Sequence, residues 1–119
     1  MIQITPHIKI YLCREPIDLR KGIDGLSAVC RRVLEKDPFC GSIFIFRNRR
    51  RTTLKMLLYD GQGYWLFVKR LSKGRFQWWP SGEVTERISL SAPQLQLLIW
   101  NGDVESARIG SDWRKINQA

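Results

Sequence analysis

The chain has 119 residues, 44% of them hydrophobic, and its 20 basic and 11 acidic side chains give a formal charge of +9. This length and apolar content suit one domain with its own core and exclude disorder as the main description. No stretch reaches the roughly 20 uninterrupted apolar residues of a bilayer span, because Lys55, Lys69 and Arg70 interrupt the richest runs. Met1 to Thr5 lacks a signal-peptide pattern, so a soluble, cytoplasmic protein with no membrane partner is expected.

In chain order, Ile8, Ile10 and Leu12 alternate with Lys9, Tyr11 and Cys13, which predicts a first strand over about His7 to Cys13. From Leu19 to Leu34 the period changes. Leu19, Ile23, Leu26, Cys30 and Val33 fall on one face of a helix, with Asp18 as its expected N-cap. Gly22 and Gly25 each cost such a helix about 1 kcal/mol against Ala, offset if another backbone packs close to them. Pro38 and Gly41 then break the chain before four strand-like runs: Ile43 to Arg47, Thr53 to Tyr59, Tyr64 to Leu71 and Arg75 to Trp79. Their turns are Asn48 to Thr52, Asp60-Gly61-Gln62-Gly63 and Ser72-Lys73-Gly74. Connections this short predict antiparallel neighbours.

Pairing Tyr59 with Tyr64 and Leu71 with Arg75 sorts the side chains. Lys55, Leu57, Tyr59, Tyr64, Leu66, Val68, Arg70, Phe76 and Trp78 share one face; Leu54, Met56, Leu58, Trp65, Phe67, Lys69, Leu71, Gln77 and Trp79 share the other. Both faces are largely apolar. Either helices cover both, or one is a contact surface that favours a homodimer. A shorter second helix is capped by Ser91, carries Pro93 early and Leu95, Leu97, Leu98 and Ile99 within, and ends at Asn101-Gly102. The expected architecture is thus α+β: an antiparallel β-meander of about five strands, one long helix packed on it, and a shorter C-terminal helix. Residues 1–102 form the domain, and 103–119, anchored by Trp113, a peripheral tail.

The inventory for catalysis is thin. His7 is the only histidine, with no evident orienting partner for nucleophilic chemistry. Cys13, Cys30 and Cys40 form no C-x-x-C pair, which indicates neither a disulfide framework nor a metal site. Asp18, Asp24, Glu35, Asp37 and Asp60 each have a simpler use as cap, surface or turn residue than as ligands of a two-metal nuclease. Arg20-Lys21-Gly22 lies near a helix start but does not match a phosphate loop. No enzyme and no cofactor is expected.

The charge is the signal that remains. Between Arg47 and Arg75 stand nine basic residues and one acid, Asp60, while the remainder of the chain is nearly balanced. Positive charge gathered in one segment points to a polyanion. Arg47, Arg49, Arg50, Arg51, Lys69, Arg70, Lys73 and Arg75 are the expected phosphate contacts, Arg20 and Lys21 extend the footprint, and Lys55 is shared between packing and contact. Trp65, Trp78 and Trp79 are candidates for base stacking.

Six segments occur in a familiar order: Asp18 to Leu26, Asp37-Pro38-Phe39-Cys40-Gly41, Phe44 to Arg49, Leu54-Lys55-Met56-Leu57, Tyr59 to Gly63, and Lys69 to Phe76. The chain resembles the TnpB-type, second-reading-frame-like accessory proteins of IS66 insertion sequences from about residue 8 to residue 100. The pattern rests on Asp18, Arg20, Lys21, Gly22, Gly25, Arg47, Asn48, Arg49, Lys55, Asp60, Gly63, Lys69, Arg70, Gly74 and Phe76. Cys13-Arg14-Glu15-Pro16-Ile17 departs from it, and the tail beyond Trp100 is longer than the family's. The resemblance implies a non-catalytic accessory of transposition, encoded beside a separate transposase that carries the acidic catalytic residues. With the basic segment, the expected partners are double-stranded DNA at the element ends and that transposase. The alternative is an interaction module that docks the transposase without touching DNA.

Overall fold

The computed structural model describes residues 8–79 and 87–101. Five strands, β1 (Ile10–Cys13), β2 (Ile43–Arg47), β3 (Thr53–Tyr59), β4 (Tyr64–Arg70) and β5 (Arg87–Leu90), form one sheet in the order β4-β3-β2-β1-β5. Helices α1 (Ile23–Arg32) and α2 (Ala92–Ile99) complete the α+β fold. His7, Gly102 and the predicted tail lie outside the described residues.

The sheet is mixed, not an antiparallel meander throughout. β1 and β2 run parallel, with Ile10 opposite Ile43 and Leu12 opposite Ile45, and α1 makes the crossover that a parallel pair requires. Only β2, β3 and β4 form the expected meander, and β5 returns antiparallel to the outer edge of β1.

The two faces are covered by different helices. Cys13, Phe44, Phe46 and Leu57 pack with Leu26, Val29, Cys30 and Leu34 on the α1 side. Ile10, Leu12, Ile43, Ile45, Leu54 and Leu58 pack with Leu95 and Leu98 on the α2 side. The alternation therefore sorts β3 and β4 correctly, with Leu57, Tyr64 and Leu66 under α1. Phe76 and Trp78 are corrections: both join the α2-side core. The segment they occupy is not a strand, because its backbone is engaged elsewhere. Phe76 N–H donates to Arg51 O (2.8 Å), Gln77 N–H donates to the Asn101 side-chain oxygen (2.7 Å), and Asn101 Nδ2 donates to Arg75 O (3.1 Å). Leu71, predicted to pair with Arg75, instead donates its N–H to Thr52 O.

The first helix is shorter than its apolar period. It has ten residues with Gly22 as N-cap and no capping side chain. Asp18 does not cap it; its carboxylate accepts the Arg20 N–H (3.0 Å). Leu19 and Lys21 lie outside the helix, in a segment whose carbonyls accept Lys55 Nζ at 2.6 and 3.2 Å. Nor does a neighbouring backbone explain the glycines. Gly22 faces open space, and a Cβ on Gly25 would meet Lys21 Cβ at 2.8 Å. α2 begins as predicted: Ser91 Oγ accepts the Gln94 N–H, the Gln94 side chain accepts the Ser91 N–H, and Pro93 sits in the first turn.

Candidate nucleic-acid interface

The β2–β3 turn is built around one side chain. Asn48 Oδ1 accepts the N–H groups of Thr52 (2.9 Å) and Thr53 (3.2 Å), while its Nδ2 donates to Thr52 Oγ1 (2.8 Å). Asn and Asp hold turns this way because their short polar side chains mimic a backbone partner. Arg51 takes a left-handed conformation (φ 61°) to close the loop, and Arg49 and Arg50 stand exposed at its tip.

The chain after β4 is tied to the same tip. Leu71 N–H donates to Thr52 O and Phe76 N–H to Arg51 O, so the loop between them lies beside the arginines. Gly74 (φ 79°) makes the turn there. Arg70, opposite Thr53 at the end of the β3–β4 ladder, is exposed, as are Lys73 and Arg75. One end of the sheet thus collects Arg49, Arg50, Arg51, Arg70, Lys73 and Arg75. Among the described residues no carboxylate forms an ion pair with any of these six.

Alongside runs the segment before α1, anchored by Ile17 N–H on Arg47 O (2.9 Å). A groove of about 360 Å³ separates Pro16–Leu19 from Asn48, Arg49 and Arg50. Arg20 and Lys21 are exposed on this flank. Arg20 is engaged with Asp18 at 2.8 Å, and that guanidinium holds the Asp18 carboxyl well below the usual carboxylate range.

Three of the predicted contact residues have internal duties. Arg47 is half-buried with its guanidinium over the Trp79 ring (5.4 Å) and one Nη donating to Asn48 O (3.2 Å). Its Nε is buried without a hydrogen-bond partner, and burial, with Arg51 and Arg49 nearby, lowers its pKa. Lys55 braces the chain ahead of α1, as above. Lys69 donates to Ile99 O at the end of α2, with its ammonium over the Trp100 ring at 5.4 Å. Cations suit that position because the last carbonyls of a helix carry negative partial charge.

The tryptophans separate similarly. Trp79 is buried and donates to the carbonyls of Cys13 and Arg14 (both 3.2 Å), and Trp78 is partly buried against the α2-side core. Trp65 is exposed but stands near the opposite end of β4 from Arg70, stacked on Phe67 (6.0 Å) with its Nε1 on Asp60 Oδ2 (2.7 Å). Asp60 also accepts the Gln62 and Gly63 N–H groups, and these bonds, that of Trp65 first, bring its pKa down to about 2.

Asn101 is the residue whose role the sequence concealed. It is buried, takes a left-handed conformation (φ 63°), and binds the backbone on both sides of Phe76. It thereby positions Arg75 from the far side of the chain. Read alone, Asn-Gly after an apolar run signals only a helix end.

Among the described residues the acidic side chains do not converge. Asp37 accepts the Phe39 N–H (3.0 Å), Asp60 shapes its turn and Asp18 pairs with Arg20. Among the described residues no group of three or more His, Cys, Asp or Glu gathers as metal ligands would. Cys13, Cys30 and Cys40 are free thiols, and burial pushes Cys30 up to about 12, away from nucleophilic use. No described helix is long and apolar enough to cross a membrane.

Fold and surface together define a small α+β protein with a cationic sheet end on a hydrogen-bonded frame. The family model for IS66 Orf2-like proteins matches residues 8–108, and the chain belongs to that insertion-sequence family. It is 35% identical over 114 residues to the uncharacterized protein y4hO of Sinorhizobium fredii (strain NBRC 101917 / NGR234), covering 96% of this chain and 90% of the relative. It is 30% identical over 118 residues to the uncharacterized protein y4jC of the same strain, covering 99% and 92%. No solved structure gives a significant match.

Proposed function

We propose that this chain is a non-catalytic accessory of transposition that holds double-stranded DNA through the cationic end of its sheet, in company with the element's separate transposase. The observation that carries this reading is the gathering of Arg49, Arg50, Arg51, Arg70, Lys73 and Arg75 on one frame without an ion-pair partner among the described residues. Lys21 widens the footprint, and Arg20 joins it by releasing Asp18. Arg47, Lys55 and Lys69 act from behind, by holding the frame. Phosphate contacts of this kind give affinity and register but little sequence discrimination.

The test is binding of the purified protein to a duplex carrying the element's terminal repeat and to a scrambled duplex, followed by fluorescence anisotropy across a salt series. Binding to both, with log affinity falling by several units per unit log salt, supports phosphate engagement. Absence of binding at low salt overturns it.

A second reading draws on a different observation, the exposed Trp65, Phe67 and Trp100. In it the protein docks the transposase through these aromatics and the basic end meets an acidic surface. Retention of transposase by a protein that binds no duplex would favour that reading.

A further inference from the structure

β4 is an edge strand, and its ladder can be phased. Asp60 N–H donates to Gly63 O and Leu71 N–H to Thr52 O, at the two ends of the continuous register from Tyr59↔Tyr64 to Thr53↔Arg70. Hydrogen-bonded and non-bonded pairs alternate between antiparallel strands. Trp65, Phe67 and Lys69 therefore direct their backbone groups to β3, and Tyr64, Leu66, Val68 and Arg70 direct theirs away from the sheet. Among the described residues nothing pairs with that outer edge. The edge has no proline and no bulge, two of the devices that protect one, and its only charges, Lys69 and Arg70, stand together at one end of the strand. Val68 is 57% exposed, Trp65 45% and Phe67 40%.

We infer that β4 pairs antiparallel with β4 of a second copy, about a two-fold axis at Phe67. This register matches every side chain of the strand. On the α2 side Phe67 meets Phe67 of the second copy, and Trp65 lies across from its Lys69. On the α1 side Leu66 faces its Val68, and Tyr64 faces its Arg70. Apolar side chains thus lie opposite apolar ones, and each cation lies opposite an aromatic residue, so that no like charges face each other across the seam. Sliding by two residues sets Trp65 opposite Phe67 or Leu71 and breaks both the Trp65–Lys69 and the Tyr64–Arg70 pairs, leaving Lys69 opposite Gly63 in one direction and Tyr64 opposite Ser72 in the other. Parallel pairing would bring the two cationic ends together. The antiparallel arrangement keeps them apart and lays the Asp60 turn of each copy beside the Ser72 to Arg75 loop of the other, acid against base. The occupant is a second copy because the strand complements itself in sequence, charge and hydrogen-bonding phase.

The test uses the full chain. Sedimentation velocity over a concentration series is expected to show twice the 14.0 kDa chain mass. Val68→Pro removes only an outward N–H and is tolerated on an edge, so it is expected to give a monomer with unchanged circular dichroism. Val68→Lys, which keeps the backbone intact and adds charge to the edge, gives the same result should the proline disturb folding. Phe67 of the two copies forms a non-hydrogen-bonded pair, about 4.5 Å apart at Cα, within disulfide reach. Phe67→Cys with Cys40→Ser is therefore expected to cross-link under mild oxidation, and Trp65→Cys with Cys40→Ser is not. A wild-type chain that stays monomeric at every concentration overturns the proposal, as does a dimer that survives both Val68 substitutions or cross-links at position 65 instead of 67.

Discussion

Asn48 converts three adjacent arginines into an ordered surface. With one side chain it accepts two backbone N–H groups and donates to Thr52 Oγ1, so Arg49 and Arg50 project from a fixed loop. Asn48→Ala leaves those donors without their acceptor and is expected to cost about 1–3 kcal/mol, read as a lowered urea midpoint. It should also weaken duplex binding although no charge is lost. Asp60 does comparable work in the β3–β4 turn. Its pKa lies below its ordinary value of 3.8, at about 2, because Trp65 and the turn N–H groups favour the carboxylate. A depressed folded-state pKa stabilises the fold above the unfolded value and loses that contribution as pH falls through the folded one. The difference in thermal midpoint between wild type and Asp60→Asn should therefore be largest above about pH 4 and shrink toward pH 2, in melts recorded from pH 6 downward. A gap that is constant with pH would contradict this assignment.

At the scale of elements, the strands and turns of residues 43–70 were legible because their information is local. Alternation defines β2, β3 and β4, and the Asn48 and Asp60 turns fix their pairing. α2 was legible for the same reason, its capping box and early proline being adjacent in sequence. What was not legible is long-range. The helix starts later than its apolar period, at Ile23, and the segment ahead of it is held by Lys55, more than thirty residues away, through the carbonyls of Leu19 and Lys21. The run Arg75 to Trp79 alternates like a strand, yet its polar groups are taken by Asn101 and Arg51. The parallel β1–β2 pairing follows from the α1 crossover, which periodicity alone does not orient. At the site, the cationic segment was evident from composition. Its division into outward and inward cations was not, since Arg47, Lys55 and Lys69 differ from their neighbours only in what they touch. Asn101→Ala tests the long-range clamp: loss of both buried amide contacts is expected to lower stability by about 1–3 kcal/mol. Hydrogen exchange should accelerate at Gln77, with β3 amides much less affected.

Across the whole molecule, chemistry and packing are divided by place. Two helices pack on the two faces of the sheet, and among the described residues the cationic end and the β4 edge, with the exposed Trp65 and Phe67 on it, stand outside that packing. In the proposed function the outward cations, and not the basic segment as a whole, engage DNA. Its most direct test compares the salt dependence of duplex binding for wild type, Arg49→Ala/Arg50→Ala and Lys55→Met. The double variant is expected to reduce the slope of log affinity against log salt by about 0.9 for each arginine removed, whereas Lys55→Met lowers stability and leaves the slope unchanged. A double variant with the wild-type slope, or an equal loss of slope from Lys55→Met, would contradict the account.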